Sequence, residues 1–247
     1  MKSVILCEGY SDFVLLQYYM RTVNAWEYNS DNKNEKIKLD GKNINICHLI
    51  KSISKLDIIG CGGCSRIPSG LKYILDYNIN ASIEEQYNKI VIITDRDEAG
   101  TEEDFIGSIY DKINDCGIEQ HENLINNTWS NVDYNNGFQD KCELQILILV
   151  IPFEDTGAME TFLLNAIAGE DEYDADIINK SNIFVENIDP ERRYLNKRGY
   201  ITKAKFDVYF SVRTASKQFV ERQNILKSVP WEKYKLIQRS FEKLGDL

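Results

Sequence analysis

What the chain lacks narrows its function first. No apolar run approaches the roughly 18 residues needed to span a bilayer, and Met1-Lys2-Ser3 followed only by Val4 to Cys7 makes no signal-peptide core. The expected location is therefore the cytoplasm, with no membrane partner. Histidine is scarce: His48 and His121 are the only two, in unrelated contexts, which leaves histidine-based catalysis without support. Disulfide frameworks belong to small secreted domains, so the six cysteines read as reduced thiols, mostly core fillers. Cys61-Gly-Gly-Cys64 has C-x-x-C spacing, yet a zinc site needs two more ligands and only Cys47 and His48 stand near it in sequence. A glycine turn flanked by small buried residues is the simpler reading. No G-x-x-x-x-G-K-[ST] pattern occurs, so a P-loop ATPase is absent from this chain.

What is there is an ordinary globular mixture. With 247 residues, 43% hydrophobic and 28% charged, the chain has enough apolar material for a sizeable core, which excludes intrinsic disorder and collagen-like repeats. Its net charge of -10 is unevenly spread. From Arg192 to the end there are 14 basic and 5 acidic residues, a local charge of +9, which leaves -19 on the remainder. An acidic body repels phosphate, but carboxylates that hold a divalent metal beside a basic tail suit a phosphodiester substrate.

Short apolar runs alternate with helical periodicity. Val4 to Cys7 predicts a strand, Glu8-Gly9-Tyr10-Ser11-Asp12 a turn, and Phe13, Leu15, Leu16, Tyr19 and Met20 a helix. Segment 24–45, rich in Asn, Asp and Lys, reads as an insertion or short hairpin. Leu56 to Ile59 predicts a second strand, leading through Gly60-Cys61-Gly62-Gly63 into a helix that starts near Pro68. Lys89 to Thr94 predicts a third, ending at Asp95-Arg96-Asp97 before a helix with Phe105, Ile109 and Ile113. Segment 115–141 reads as a long loop or hairpin, and Leu144 to Ile151 as a fourth strand that closes at Glu154-Asp155. A helix over 157–168 and a mostly helical region from Ile177 onward, after the acidic stretch 170–176, complete the chain. Strands apolar on both faces, separated by helices, predict an α/β fold with a mainly parallel sheet flanked by helices. The domain expectation is an α/β unit over 1–168 with a helical, basic region over 169–247.

Ligand sites of such sheets lie beyond the carboxyl ends of the strands, and here those ends carry acids. Glu8 and Asp12 follow the first strand, Asp95 and Asp97 the third, and Glu154 and Asp155 the fourth, with Glu160 near the start of the next helix. Converging carboxylates repel one another unless a cation neutralises them, and Mg²⁺ takes hard oxygen ligands while keeping waters that a phosphate oxygen can replace. Two metals about 4 Å apart would activate a water and stabilise the leaving oxygen of a phosphodiester. Each acid alone has an ordinary alternative as a helix cap or first-turn residue.

The segments V-I-L-C-E8-G-Y-S-D12 and I-V-I-I-T-D95-R-D97-E-A-G, in that order and strand context, resemble the Toprim domain of topoisomerases, primases and related nucleases. With I-I-G60-C-G-G63-C-S between them, the pair looks most like the overcoming-lysogenization-defect (OLD) type and other stand-alone Toprim nucleases, over roughly residues 1 to 168. The resemblance implies a Rossmann-like Toprim sheet and a Mg²⁺- or Mn²⁺-dependent nuclease acting on DNA or RNA. Glu8 would be a metal ligand or general acid/base, and Asp95 and Asp97 would bind metal. Asp12 matches the additional acid of the OLD-type site, and Glu160, in A-M-E160-T-F, a further acidic position. OLD-type sites also use a lysine from the carboxyl-terminal region, for which Lys203 and Lys205 in I-T-K-A-K-F are the candidates. The family's company implies phage defence or a toxin role, a separate ATPase subunit as partner, and room for a homo-oligomer. The chain lacks the length of a topoisomerase and the zinc ribbon of a primase.

Two rivals remain open: a non-catalytic Toprim module binding nucleic acid or a protein, and a phosphotransfer protein using Asp95 as nucleophile. The basic tail is equally open. Arg192, Arg193, Lys197, Arg198, Lys203, Lys205, Arg213, Lys217 and Arg222 alternate with Tyr194, Tyr200, Phe206, Tyr209, Phe210 and Phe219. That pattern fits a nucleic-acid groove and equally a helical layer whose rings pack on the sheet.

Overall fold

A computed structural model describes residues 1–29, 35–118, 123–217 and 221–247. His121, Phe219 and parts of the segments 24–45 and 115–141 lie outside the described residues. In chain order the elements are β1 (Lys2–Cys7), α1 (Tyr10–Thr22), β2 (Glu27–Tyr28), β3 (Lys36–Leu39), β4 (Lys42–Lys51), β5 (Ser54–Gly60), α2 (Ile67–Asn80), β6 (Lys89–Asp95) and α3 (Thr101–Asp115). They continue with β7 (Trp129–Asn135), β8 (Lys141–Ile151), α4 (Met159–Ala168), α5 (Glu172–Ile188), α6 (Arg198–Arg213), α7 (Arg222–Ser228) and α8 (Lys235–Phe241).

The strands form a mixed sheet in the order β2-β4-β5-β1-β6-β8-β7, with β3 paired to β4. Its centre, β5-β1-β6-β8, is parallel, whereas β4 and β7 run antiparallel to their neighbours β5 and β8. Burial on both faces explains why the four central strands are nearly continuous apolar runs, with the buried Asp57 of β5, hydrogen-bonded to His48 and Tyr87, as a charged exception. Ile5, Val91, Ile93, Leu147 and Leu149 enter one core layer, and Val4, Leu6, Ile90, Ile92, Ile146 and Ile148 the other. Helices α2 and α3 cover the second face, through Leu71, Ile74, Phe105 and Ile109.

The first face is covered by α1, α4 and the carboxyl-terminal helices together. Phe206, Tyr209, Phe210, Trp231 and Phe241 are buried in the same cluster as Leu15, Leu16, Phe162 and Leu163. Three of the rings that alternate with basic residues in the tail are therefore core, while Tyr194 (70% exposed) and Tyr200 stay outside. The helical region is thus a layer of the same core, and it starts where α4 ends at Ala168.

Three segments sharpen or extend the sequence expectations. Segment 24–45, expected as an insertion or short hairpin, contains the β3–β4 hairpin, and β4 continues to Lys51, where no strand was expected. In 115–141, where the sequence left a long loop or a hairpin open, β7 pairs antiparallel with β8 and buries Ser130, Val132 and Tyr134 on alternate positions, so a hairpin forms. Helix α5 begins inside the acidic stretch: the Asp171 side chain accepts from the Asp174 amide at 3.0 Å, and acids in the first turn favour the positive end of the helix. Among the described residues no helix is long and apolar enough to cross a membrane.

Candidate functional site

Strand order fixes where a ligand can approach. Chain order β1, β5, β6, β8 against spatial order β5-β1-β6-β8 means that the connections leave β1 in opposite directions. A crevice forms at such a switch point, beyond the carboxyl ends of β1 and β6. Cys7 of β1 is level with Ile93 of β6, so the next pair, Glu8 and Thr94, face each other, and the Thr94 hydroxyl donates to Glu8 Oε2 at 3.1 Å.

The turn after β1 is held from the β5 side. The Glu8 carbonyl accepts from the amides of Gly62 (2.8 Å) and Gly63 (2.9 Å), and the Cys7 carbonyl from Cys61 (2.8 Å). Gly62 and Gly63 have φ of +81° and +137°, values that glycine alone adopts readily, which explains the Gly-Gly of the C-x-x-C segment. Its cysteines are free thiols: Cys61 is fully buried and Cys64 partly so. Burial pushes the Cys61 thiol up to about 12, a value that disfavours thiolate chemistry.

Asp12 serves the helix and the crevice together. One carboxylate oxygen accepts from the Gly9 amide at 2.7 Å, closing the amino end of α1. A Cβ at Gly9 would stand 3.3 Å from that oxygen, a tight contact that the Asp12 carboxylate would have to yield to by a few tenths of an ångström. Ser11 donates to Glu160 Oε1 at 3.2 Å and ties α1 to α4. The Asp95-Arg96-Asp97 turn is fixed by its middle residue, whose side chain pairs with Glu102 and donates to the Pro152 carbonyl at 2.8 Å. Arg96 also exchanges backbone bonds with Ile151 and Gly157, which docks the start of α4, and so Glu160, beside the end of β6.

These contacts bring Glu8, Asp12, Asp95, Asp97 and Glu160 to one open cavity of about 500 Å³, whose opposite wall carries Arg198, Lys203 and Arg222. Asp12 and Glu160 are 5% exposed, Asp95 and Glu8 are partly buried, and Asp97 is exposed with Arg198 at 3.6 Å. Burial raises the Asp12 carboxyl to about 7, with the Gly9 amide opposing, Glu8 and Glu160 adding to the rise, and Lys203 lowering it. Asp95 is held well above the ordinary carboxylate range by burial and then by the charges of Asp12, Glu8 and Glu160. Burial also raises Glu8, against the Thr94 hydrogen bond, and Asp97 adds to the rise. Several acids here thus resist ionising together, which is the behaviour of a site that gains from an added cation.

Lys203 reaches this rim, but Lys205 does not: it pairs with Glu186 at 2.5 Å and lines a neighbouring cavity. Glu154 and Asp155, expected at the fourth strand end, are exposed and outside the rim, because the chain turns outward after Ile151 and Glu154 meets Arg239 of α8 at 3.2 Å. Thr94, Ser11, Arg198 and Arg222 were not singled out from sequence as site residues. The basic clustering of the tail flagged the arginines as a group, and nothing local distinguishes Thr94 from any strand threonine.

The donor set suits a hard divalent cation: carboxylate oxygens, of which Glu8, Asp12 and Asp95 are pushed above the ordinary range by burial and by one another. Among the described residues no three or more His, Cys, Asp or Glu side chains are gathered as a ready-made metal shell. Mg²⁺ requires none, since it usually keeps several waters and takes one or two carboxylates.

Residues 2–236 match the family described as "Protein of unknown function (DUF3226)", and a match over nearly the whole chain means that the chain belongs to that family. No curated protein matches it. Among solved structures the fold is similar to the crystal structure of hypothetical protein PH0156 from Pyrococcus horikoshii OT3, at 13% identity, 98% coverage of both chains and a TM-score of 0.50. At that identity the likeness speaks for the fold alone.

Proposed function

We propose that the chain is a Toprim-type, Mg²⁺- or Mn²⁺-dependent nuclease that hydrolyses phosphodiester bonds of DNA or RNA at the rim formed by Glu8, Asp12, Asp95, Asp97 and Glu160. The observation that carries the reading is the convergence of acids from β1, α1, β6 and α4 on one cavity that cations line from the other side. Glu8, Asp95 and Asp97 would hold the metal, with Asp12 and Glu160 as further ligands. When bound, such an ion supplies an activated water and charge neutralisation at the phosphate.

The remaining work falls to the chain's own side chains. Glu8, partly buried and hydrogen-bonded by Thr94, would act as ligand or as general acid/base. Lys203 stands across from Asp12 and can stabilise charge that develops on the phosphate oxygens. Arg198 and Arg222 on the same wall can orient the strand through its backbone phosphates.

The test is cleavage of supercoiled DNA, single-stranded DNA and tRNA with Mg²⁺ or Mn²⁺, comparing wild type with Glu8→Ala. Metal-dependent cleavage that is lost in the variant is the expected result and names the substrate class. Binding without turnover in any metal would favour a non-catalytic module, and full activity in Glu8→Ala would defeat the assignment.

A further inference from the structure

Beside the acidic rim lies a second cavity of about 330 Å³, walled by the start of α4, the segment between α5 and α6, and α6 itself. Its charged lining residues are Arg192, Lys197, Arg198 and Lys205, with no carboxylate among them. Lys205 is committed to Glu186 at 2.5 Å and Arg198 leans toward Asp97 at 3.6 Å. Among the described residues Arg192 and Lys197 have no carboxylate partner, and Lys197 lies over the Tyr200 ring at 5.6 Å. Four cations around one concavity, two of them unpaired, repel one another until an anion enters.

Two further features point the same way. Helix α6, 16 residues long, starts at this cavity with no side chain capping its first turn, so its amino end adds positive potential. Arg198 and Thr202, one turn apart on α6, line both cavities, so an anion in the basic one sits a single side chain away from the acidic rim. An acidic rim and a basic cavity sharing one wall match a polyanionic chain that brings one phosphate to a metal and the next to a cationic socket.

We propose that the cavity of Arg192 and Lys197 binds a backbone phosphate of a single nucleic-acid strand, next to the phosphodiester presented at the acidic rim. The inference rests on the nuclease reading of that rim but is tested without cleavage. The experiment is binding of end-labelled single-stranded DNA and RNA oligonucleotides to the full chain in EDTA, followed by fluorescence anisotropy over a range of salt. Wild type is compared with Arg192→Ala/Lys197→Ala and with the charge-preserving Arg192→Lys/Lys197→Arg.

In the alanine pair, affinity should fall about tenfold and the slope of log K against log salt should become shallower by about one. Mn²⁺ affinity should stay at the wild-type value, which shows that the rim and the fold are intact. The charge-preserving pair should bind as wild type does. Unchanged affinity and slope in the alanine pair would overturn the proposal, as would a wild type that binds no oligonucleotide at low salt. Failure of the nuclease reading looks different: oligonucleotide binding through Arg192 and Lys197 with no cleavage in any metal.

Discussion

The two walls of the candidate site are built by opposite means. The acidic wall is sheet-borne: Glu8 and Asp95 leave the adjacent parallel strands β1 and β6, Asp12 closes α1, and Glu160 is docked through the Arg96 turn, so most of these carboxylates are partly or fully buried and several are bonded to neighbours. The basic wall is carried by α6 and α7, late in the sequence, on the exposed Lys203 and Arg198 and the half-buried Arg222, which pairs with Asp207 at 2.6 Å. The contrast teaches that one wall is preorganised and costly, since burial and like charge hold its acids above their ordinary range, whereas the other is adaptable and screened.

If the acidic wall does the chemistry, breaking it has the largest effect. Asp95→Ala should lower metal-dependent cleavage on the order of 10³-fold, because several kcal/mol of metal-derived stabilisation are lost at about 1.4 kcal/mol per decade. Circular dichroism should show the fold retained. Lys203→Ala on the basic wall should cost roughly 10²-fold in kcat. Because Lys203 lowers Asp12, its removal should also move the acid limb of the pH–rate profile to higher pH, which a purely structural lysine would not do.

A third test turns on the cost of the buried acids in the absence of metal. Asp12 is raised in the folded state to about 7, so the folded protein holds a proton there that the unfolded chain releases near pH 4. Stability from this group is therefore full at low pH, is lost as pH rises from about 4 to about 7, and stays lost above that. Asp12→Asn keeps an oxygen for the Gly9 amide and removes the charge. It should raise the melting temperature of metal-free protein by several degrees at pH 8, with the gain fading toward pH 4. A gain that is independent of pH would show that the charge is not the cause. At the small end, Glu154→Gln should leave cleavage within about twofold and stability within about 0.5 kcal/mol, as expected for an exposed residue paired only with Arg239.

The same contrast decides how much was legible in the sequence. The four parallel strands were readable because burial on both faces makes them nearly continuous apolar runs, and the acids Glu8, Asp12 and Asp95 stood out just beyond them. Antiparallel β4 and β7 were legible only as loop or hairpin because one face of each is polar, as Lys42-Asn43-Ile44-Asn45 and Asn131, Asp133 and Asn135 show. Glu154 looked equivalent to Glu8 in sequence, and only the outward course of the chain after Ile151 separates them. Between Lys203 and Lys205, two residues apart on α6, helical rotation sends one to the rim and the other to Glu186. No local pattern carries that distinction, since it depends on how α6 packs.

The most direct measurement is calorimetric titration of Mn²⁺ into wild type and Asp95→Ala at pH 7, in two buffers of different ionisation heat. A carboxyl raised to about 7 by burial, as at Asp12, must give up its bound proton when a cation enters. The account predicts saturable Mn²⁺ binding by wild type with buffer-dependent heat, and its loss in Asp95→Ala. Absence of binding, or equal binding by the variant with no proton release, would contradict it.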